Sequence, residues 1–103
     1  MTISCTQCGK ELDRQGPDRV AVMAGFVLGD EYIETWFLCP ACGAYTKKTY
    51  HDRFLGDDSI HLAGPIGKPR GDAAVALIRQ CPDPLDKWCT CPAHTAYFGA
   101  GPA

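Results

Sequence analysis

Apolar and polar positions are most regularly arranged in the first half of the chain. Residues 19–28 read Arg-Val-Ala-Val-Met-Ala-Gly-Phe-Val-Leu, a run rich in β-formers, preceded by a polar turn at 13–18 that contains Gly16 and Pro17. Gly29-Asp30 then gives a hairpin signal, and residues 31–38 read as the returning strand. In that strand Tyr32, Glu34, Trp36 and Leu38 share one face, while Ile33, Thr35 and Phe37 share the other. Neither face is cleanly polar, so the hairpin is expected to pack against something. A third strand is expected at 45–50, where Tyr45, Thr46, Lys47, Lys48, Thr49 and Tyr50 alternate.

Residues 56–71 carry Gly56, Gly64, Gly67, Gly71, Pro65 and Pro69 around the pair Asp57-Asp58, and this composition reads as a loop or linker. A short helix is expected at 72–80, with Asp72 as N-cap, Arg79 complementing the C-terminal dipole, and Pro82 and Pro84 preventing its continuation. The resulting division is 1–55, a 56–71 connector, and 72–103 as a helix with a Cys/His loop. Trp88, Tyr97 and Phe98 are candidates either for an interface or for a small core.

The chain has 103 residues and seven cysteines. Domains of this size bury a modest share of their surface and commonly need a metal or disulfides to hold them. Ten Lys and Arg against twelve Asp and Glu leave a formal charge of −2, which argues against a dedicated polyanion binder. No apolar run approaches the roughly 20 residues of a membrane crossing. The start, Met1-Thr2-Ile3-Ser4-Cys5, lacks a basic segment and an apolar one, so a cytoplasmic location is expected. In that compartment clustered cysteines are more often metal ligands than disulfides.

Two elements, Cys5-Thr6-Gln7-Cys8-Gly9 and Cys39-Pro40-Ala41-Cys42-Gly43, carry the strongest chemical signal. Sulfurs three residues apart can both reach one ion, and the following glycine lets the backbone curl around it. Two such knuckles complete a tetrahedral site, so Cys5, Cys8, Cys39 and Cys42 are the expected ligands of a first metal. Cys81, Cys89 and Cys91 remain, with His94 three residues beyond the last. Three thiolates and one imidazole make a second complete set, stiffened by Pro82, Pro84 and Pro92. His51 and His61 are alternatives to His94.

Two knuckles bracketing a β-hairpin resemble a zinc ribbon over about residues 4–50. The resemblance implies a small, mainly β, metal-stabilised fold with zinc held structurally, two ions per chain when the second set is included. Cys39-Pro40-Ala41-Cys42-Gly43-Ala44, preceded by Trp36, is also similar to the second knuckle of rubredoxin, which implies iron and electron transfer. The first knuckle departs from that family, with Lys10-Glu11-Leu12-Asp13 where rubredoxin has aromatic residues. The segment from Asp30 to Cys39 further resembles the ribbon of transcription elongation factor S-II. There an Asp-Glu pair at the hairpin tip helps hold a catalytic metal in RNA polymerase, and Asp30-Glu31 stands in the matching place.

Catalysis finds little support. There is no phosphate-binding glycine loop and no nucleophile elbow, and Asp57, Asp58, Asp83 and Asp86 lie in turn-rich segments. Lys47, Lys48 and Arg53, interleaved with Tyr45 and Tyr50, form a candidate nucleic-acid face, although lysines on an exposed strand commonly just protect it. The expected function is a non-catalytic protein-interaction or accessory module. The alternatives are an iron electron carrier and a metal-handling protein that loads copper or zinc at Cys89-Thr90-Cys91. Cys39→Ser is expected to unfold the hairpin, and Cys89→Ser to lose one metal while leaving the ribbon folded.

Overall fold

The computed structural model describes residues 3–53 and 55–99. Met1, Thr2, Phe54 and residues 100–103 lie outside the described residues. A two-stranded ribbon of β1 (Ile3–Ser4) and β2 (Glu11–Leu12) precedes a four-stranded antiparallel meander. The meander consists of β3 (Arg19–Val27), β4 (Asp30–Leu38), β5 (Tyr45–Asp52) and β6 (Ser59–Ile66), paired in that order. Helix α1 (Lys68–Arg79) follows, and then the single turn α2 (Pro92–His94), which widens into a π-helical turn over Thr95–Gly99. No helix among the described residues is long and apolar enough to cross a membrane.

The hairpin β3–β4 forms where alternation predicts it, but its turn sits one residue earlier. Val27 pairs with Asp30, so the two turn residues are Leu28 (φ 53°) and Gly29 (φ 90°), and Asp30 is already in the strand. Both turn residues have the positive φ of the turns that match strand twist. The third strand pairs alongside β4 as expected and runs on to Asp52.

The loop or linker reading of 56–71 is corrected. Residues 59–66 form β6, with Ile60 opposite Tyr50, Leu62 opposite Lys48 and Ala63 opposite Lys47. Pro65 is tolerated because the strand is at the sheet edge and the register shifts beside it. The helix also starts earlier than expected. Gly67 is the N-cap and makes no side-chain cap bond, and Pro69 lies in the first turn, where its missing N–H costs nothing. Asp72 is one turn inside the helix, where it accepts from the Tyr45 hydroxyl at 2.5 Å and from Lys68 at 3.0 Å.

Two cores result. One face of the sheet supplies Ala21, Met23, Trp36 and Tyr45, which pack with Val75 and Ile78 of α1 and with Cys81 and Ala93. The second core is small and lies beneath the knuckles, with Ile3, Leu12 and Phe37 around Cys5 and Cys39. Tyr97 and Phe98 anchor the C-terminal turn to the first. Tyr97 Oη donates to Glu34 Oε1 at 2.5 Å and accepts from the Trp36 indole N–H at 2.9 Å. The Phe98 ring covers Gly25 so closely that a Cβ there would come within 2.5 Å of it.

Candidate metal centres

The two Cys-x-x-Cys-Gly segments fold into matching loops. Cys5 N–H donates to the Lys10 carbonyl at 2.8 Å and Gly9 N–H to the Cys5 carbonyl at 3.0 Å. In the second loop Cys39 N–H donates to the Ala44 carbonyl at 3.0 Å and Gly43 N–H to the Cys39 carbonyl at 2.9 Å. Gly9 (φ 80°) and Gly43 (φ 76°) close the two turns in the left-handed region, which explains the glycine after each second cysteine. The strand pairs β1–β2 and β4–β5 aim the loops at one another.

Their sulfurs meet. Sγ of Cys5 lies 3.6 Å from that of Cys42, and Sγ of Cys8 lies 3.6 Å from that of Cys39. All four sulfurs lie within 4.8 Å of one another. A disulfide would bring two of them to about 2.05 Å. A tetrahedron with metal–sulfur bonds of about 2.3 Å has edges of about 3.8 Å, close to the spacing found. All seven cysteines are free thiols. In each knuckle the first cysteine is buried, Cys5 and Cys39, and the second faces outward, exposed at Cys8 and half-buried at Cys42. Thr6 braces the first knuckle against β5, its N–H and hydroxyl reaching Thr46 Oγ1 at 3.0 and 2.9 Å. Local sequence carries no signal for this contact, which joins positions forty residues apart.

The electrostatics call for a cation. Burial works against the Cys5 thiolate, but the amides of Cys8 and Gln7 and the thiols of Cys42 and Cys8 outweigh it and bring its pKa to about 6. At Cys42 the Ala44 amide favours the thiolate, yet burial and the sulfurs of Cys5, Cys39 and Cys8 push the thiol up to about 12. Four sulfurs in contact cannot all ionise on their own, and a bound divalent ion removes that conflict. The donor set therefore fits a thiophilic metal.

The second cluster is built by the chain after α1. Cys81 sits at the helix end, its N–H donating to the Ile78 carbonyl at 3.0 Å, and Cys89 closes a turn on the Asp86 carbonyl at 3.0 Å. Cys81 Sγ lies 3.7 Å from Cys89 Sγ and 3.4 Å from His94 Nδ1. These three ligand atoms lie within 4.8 Å of one another, and Cys91, the fourth expected ligand, is not in that group. Cys91 caps α2, its sulfur accepting from His94 N–H at 3.3 Å. That amide is the main reason its thiol pKa is lowered, and the sulfurs of Cys81 and Cys89 act in the same direction. Burial, then the sulfurs of Cys91 and Cys89, push Cys81 up to about 11 against the Asp83 amide.

His94, 3% exposed, is the histidine that the fold brings to these sulfurs, and its Nε2 is buried without a hydrogen-bond partner among the described residues. The alternatives His51 and His61 are placed elsewhere. His51 Nε2 pairs with Asp30 at 2.8 Å and its ring stacks on Tyr32, while His61 lies on exposed β6 opposite Thr49.

The remaining candidates are dispersed. Asp30 is held by His51, and Glu31 pairs with Lys87 at 2.8 Å, so both members of the hairpin-tip acidic pair are engaged within the chain. Lys47 and Lys48 fall on opposite faces of β5. Lys47 pairs with Glu34 at 3.4 Å over the Trp36 ring, and Arg53 donates to the Asp57 carbonyl of its own loop. The basic and aromatic residues of 45–53 thus do not form one face. No family model matches the sequence, and neither a curated protein nor a solved structure matches it.

Proposed function

We propose that the protein is a zinc-ribbon-like, non-catalytic binding or accessory module whose surface is held by two structural zinc ions. Cys5, Cys8, Cys39 and Cys42 would hold the first, and Cys81, Cys89, Cys91 and His94 the second. The observation that carries this reading is the pair of matching knuckles with their four sulfurs at tetrahedral spacing. Closed four-ligand sets suit structural ions, since a catalytic zinc keeps a position open for water.

A protein is the partner this surface favours. Phe26 and Trp88 meet edge to face at 4.5 Å, with Trp88 63% exposed and Lys87 lying over both rings. Large aromatic side chains beside a single cation are typical protein-interface chemistry. The engagement of Lys47 and Arg53 within the chain weighs against nucleic acid.

One feature favours a second reading, in which the C-terminal site exchanges its metal. Cys91 is not among the ligand atoms that Cys81, Cys89 and His94 bring within 4.8 Å of one another, whereas all four sulfurs of the first site meet that spacing. The deciding measurement is metal content per chain by native mass spectrometry, on protein purified without air or added metal, followed by competition with a chelator. Two zinc ions that both resist the chelator are expected. Loss of the second ion alone would favour the exchange reading. A coloured sample holding iron would overturn the zinc reading in favour of electron transfer.

A further inference from the structure

The two edges of the four-stranded sheet differ in how they are covered. Along β3 the Pro84 carbonyl accepts from Ala24 N–H at 2.8 Å, and the Arg79 guanidinium donates to the Val20 carbonyl at 3.4 Å. Along β6, β5 is the one strand neighbour among the described residues. Positions 60–65 are all exposed, with Ile60 at 53% and Leu62 at 47%.

Sheet edges are ordinarily guarded by charge, by shortness or by proline. β6 spans eight residues, and its sequence Ser-Ile-His-Leu-Ala-Gly-Pro-Ile contains no Asp, Glu, Lys or Arg. Pro65 guards one end alone. The flanks are charged with opposite sign, Asp57-Asp58 before the strand and Lys68 with Arg70 after it, with Asp58 accepting from the Tyr50 hydroxyl and Lys68 paired with Asp72 within the chain.

We propose that the outer edge of β6 is a self-association surface, on which a second copy of the chain pairs antiparallel to make one continuous eight-stranded sheet. Antiparallel pairing about His61 sets Asp57 and Asp58 opposite Pro65 and Gly64 of the second copy, on the side of its Lys68 and Arg70 and away from its own acidic pair, so charge favours that orientation. Parallel pairing would set Asp57 and Asp58 beside their own copies. A two-fold axis at His61 sets Ile60 opposite Leu62 of the second copy, and symmetry repeats the pair. Such cross-strand apolar pairs are the unit that stabilises a sheet. Because β3 is covered by Pro84 and Arg79, the assembly closes at two.

The test is sedimentation equilibrium on the full metal-loaded chain from about 1 µM to about 1 mM, a span that brackets weak to moderate self-affinity. The mass is expected to rise from 11.2 kDa toward twice that value. Leu62→Lys puts a cation into the pair without touching either core, and is expected to stay at the monomer mass with its metal content unchanged. Ile60→Thr keeps the strand propensity, removes the apolar pair and should weaken the dimer at least tenfold, which covers the case in which Leu62→Lys fails to fold. A wild-type chain that remains monomeric at the highest concentration overturns the proposal. So does a dimer that survives both substitutions but is lost in Trp88→Ala, because the contact would then lie at the hairpin tip. Species larger than a dimer would equally exclude a closed edge pair.

Discussion

At the scale of single residues, burial separates cysteines that the sequence presents as equivalent. Cys39 is 1% exposed beneath Phe37 and Leu12, whereas Cys8 faces solvent. Metal-coupled folding of a small zinc site is worth about 10–16 kcal/mol, comparable to the roughly 5–15 kcal/mol of a whole domain. Cys39→Ser should therefore lose both the first ion and the folded β3–β4 hairpin, read as metal content and far-ultraviolet circular dichroism. Cys8→Ser keeps three ligands, and water can take the open place. It should keep the fold while binding its metal more weakly, and equal collapse of both variants would refute the distinction. Tyr45 sets a different limit. Burial first, and then the Asp72 acceptor, hold its phenol up at about 12, against about 10 for a free tyrosine. The unfolded chain ionises first, so this contribution is complete below about pH 10 and is lost as the pH rises toward about 12. Burial and the Glu34 carboxylate push Tyr97 up in the same direction. Tyr45→Phe should flatten the alkaline limb of a melting-temperature profile without removing it. An unchanged slope would show that Tyr45 does not carry this dependence.

At the scale of elements, α1 sits on Tyr45 through a glycine. A Cβ on Gly71 would come within 2.0 Å of the Tyr45 ring, which is itself 3% exposed and tied to Asp72. In an exposed helix Gly→Ala gains about 1 kcal/mol of propensity. Here overpacking costs about 1–3 kcal/mol, and more if the Tyr45–Asp72 bond is lost with it. The expected sign is therefore destabilising, by about 1–2 kcal/mol in denaturant melts, and a stabilised Gly71→Ala would show that α1 does not pack as described. The elements also differ in how far local sequence could specify them. The knuckles were legible because ligand spacing and a left-handed glycine are short-range requirements, and β3 and β4 because their β-forming runs are long. β6 was not legible, because Ile60 and Leu62 face outward and leave no core-facing alternation to set against Gly64 and Pro65. The helix start was misplaced because Asp72 has the chemistry of a cap, but Tyr45, distant in sequence, uses it. Pro69 was the local signal for the true start. In the second cluster the four residue types were legible, whereas the position of Cys91 outside the group of three depends on how α2 turns.

At the scale of the whole molecule, the C-terminal segment and the sheet share one core. Met23 and Trp36 pack with Val75, Ile78, Cys81 and Ala93, and Tyr97 ties Trp36 and Glu34 to the last turn. The segment also reaches the hairpin tip, through Pro84 on Ala24, Trp88 on Phe26 and Lys87 on Glu31. Sequence alone led to the expectation that Cys89→Ser costs one metal and leaves the ribbon unaffected. The shared core calls for a finer outcome. The first site and the β4–β5 ladder do not involve Cys89, so the far-ultraviolet signal of the sheet and one bound metal ion should survive. The cover over Trp36 depends on residues 81–99 being gathered, and a second ion would add to the core contacts by tying Cys81 to Cys89 and His94. Trp36 is 6% exposed in the intact protein, and its emission should shift to the red as Tyr97 and Phe98 leave it. Trp88, already exposed, contributes a nearly constant background that Trp88→Phe removes. Red-shifted Trp36 emission with one retained metal ion would mean that the second site latches the tail onto a sheet held by the first. Unchanged emission would mean that apolar packing alone holds residues 81–99 in place, and collapse of the whole chain would mean that the two sites fold as one unit.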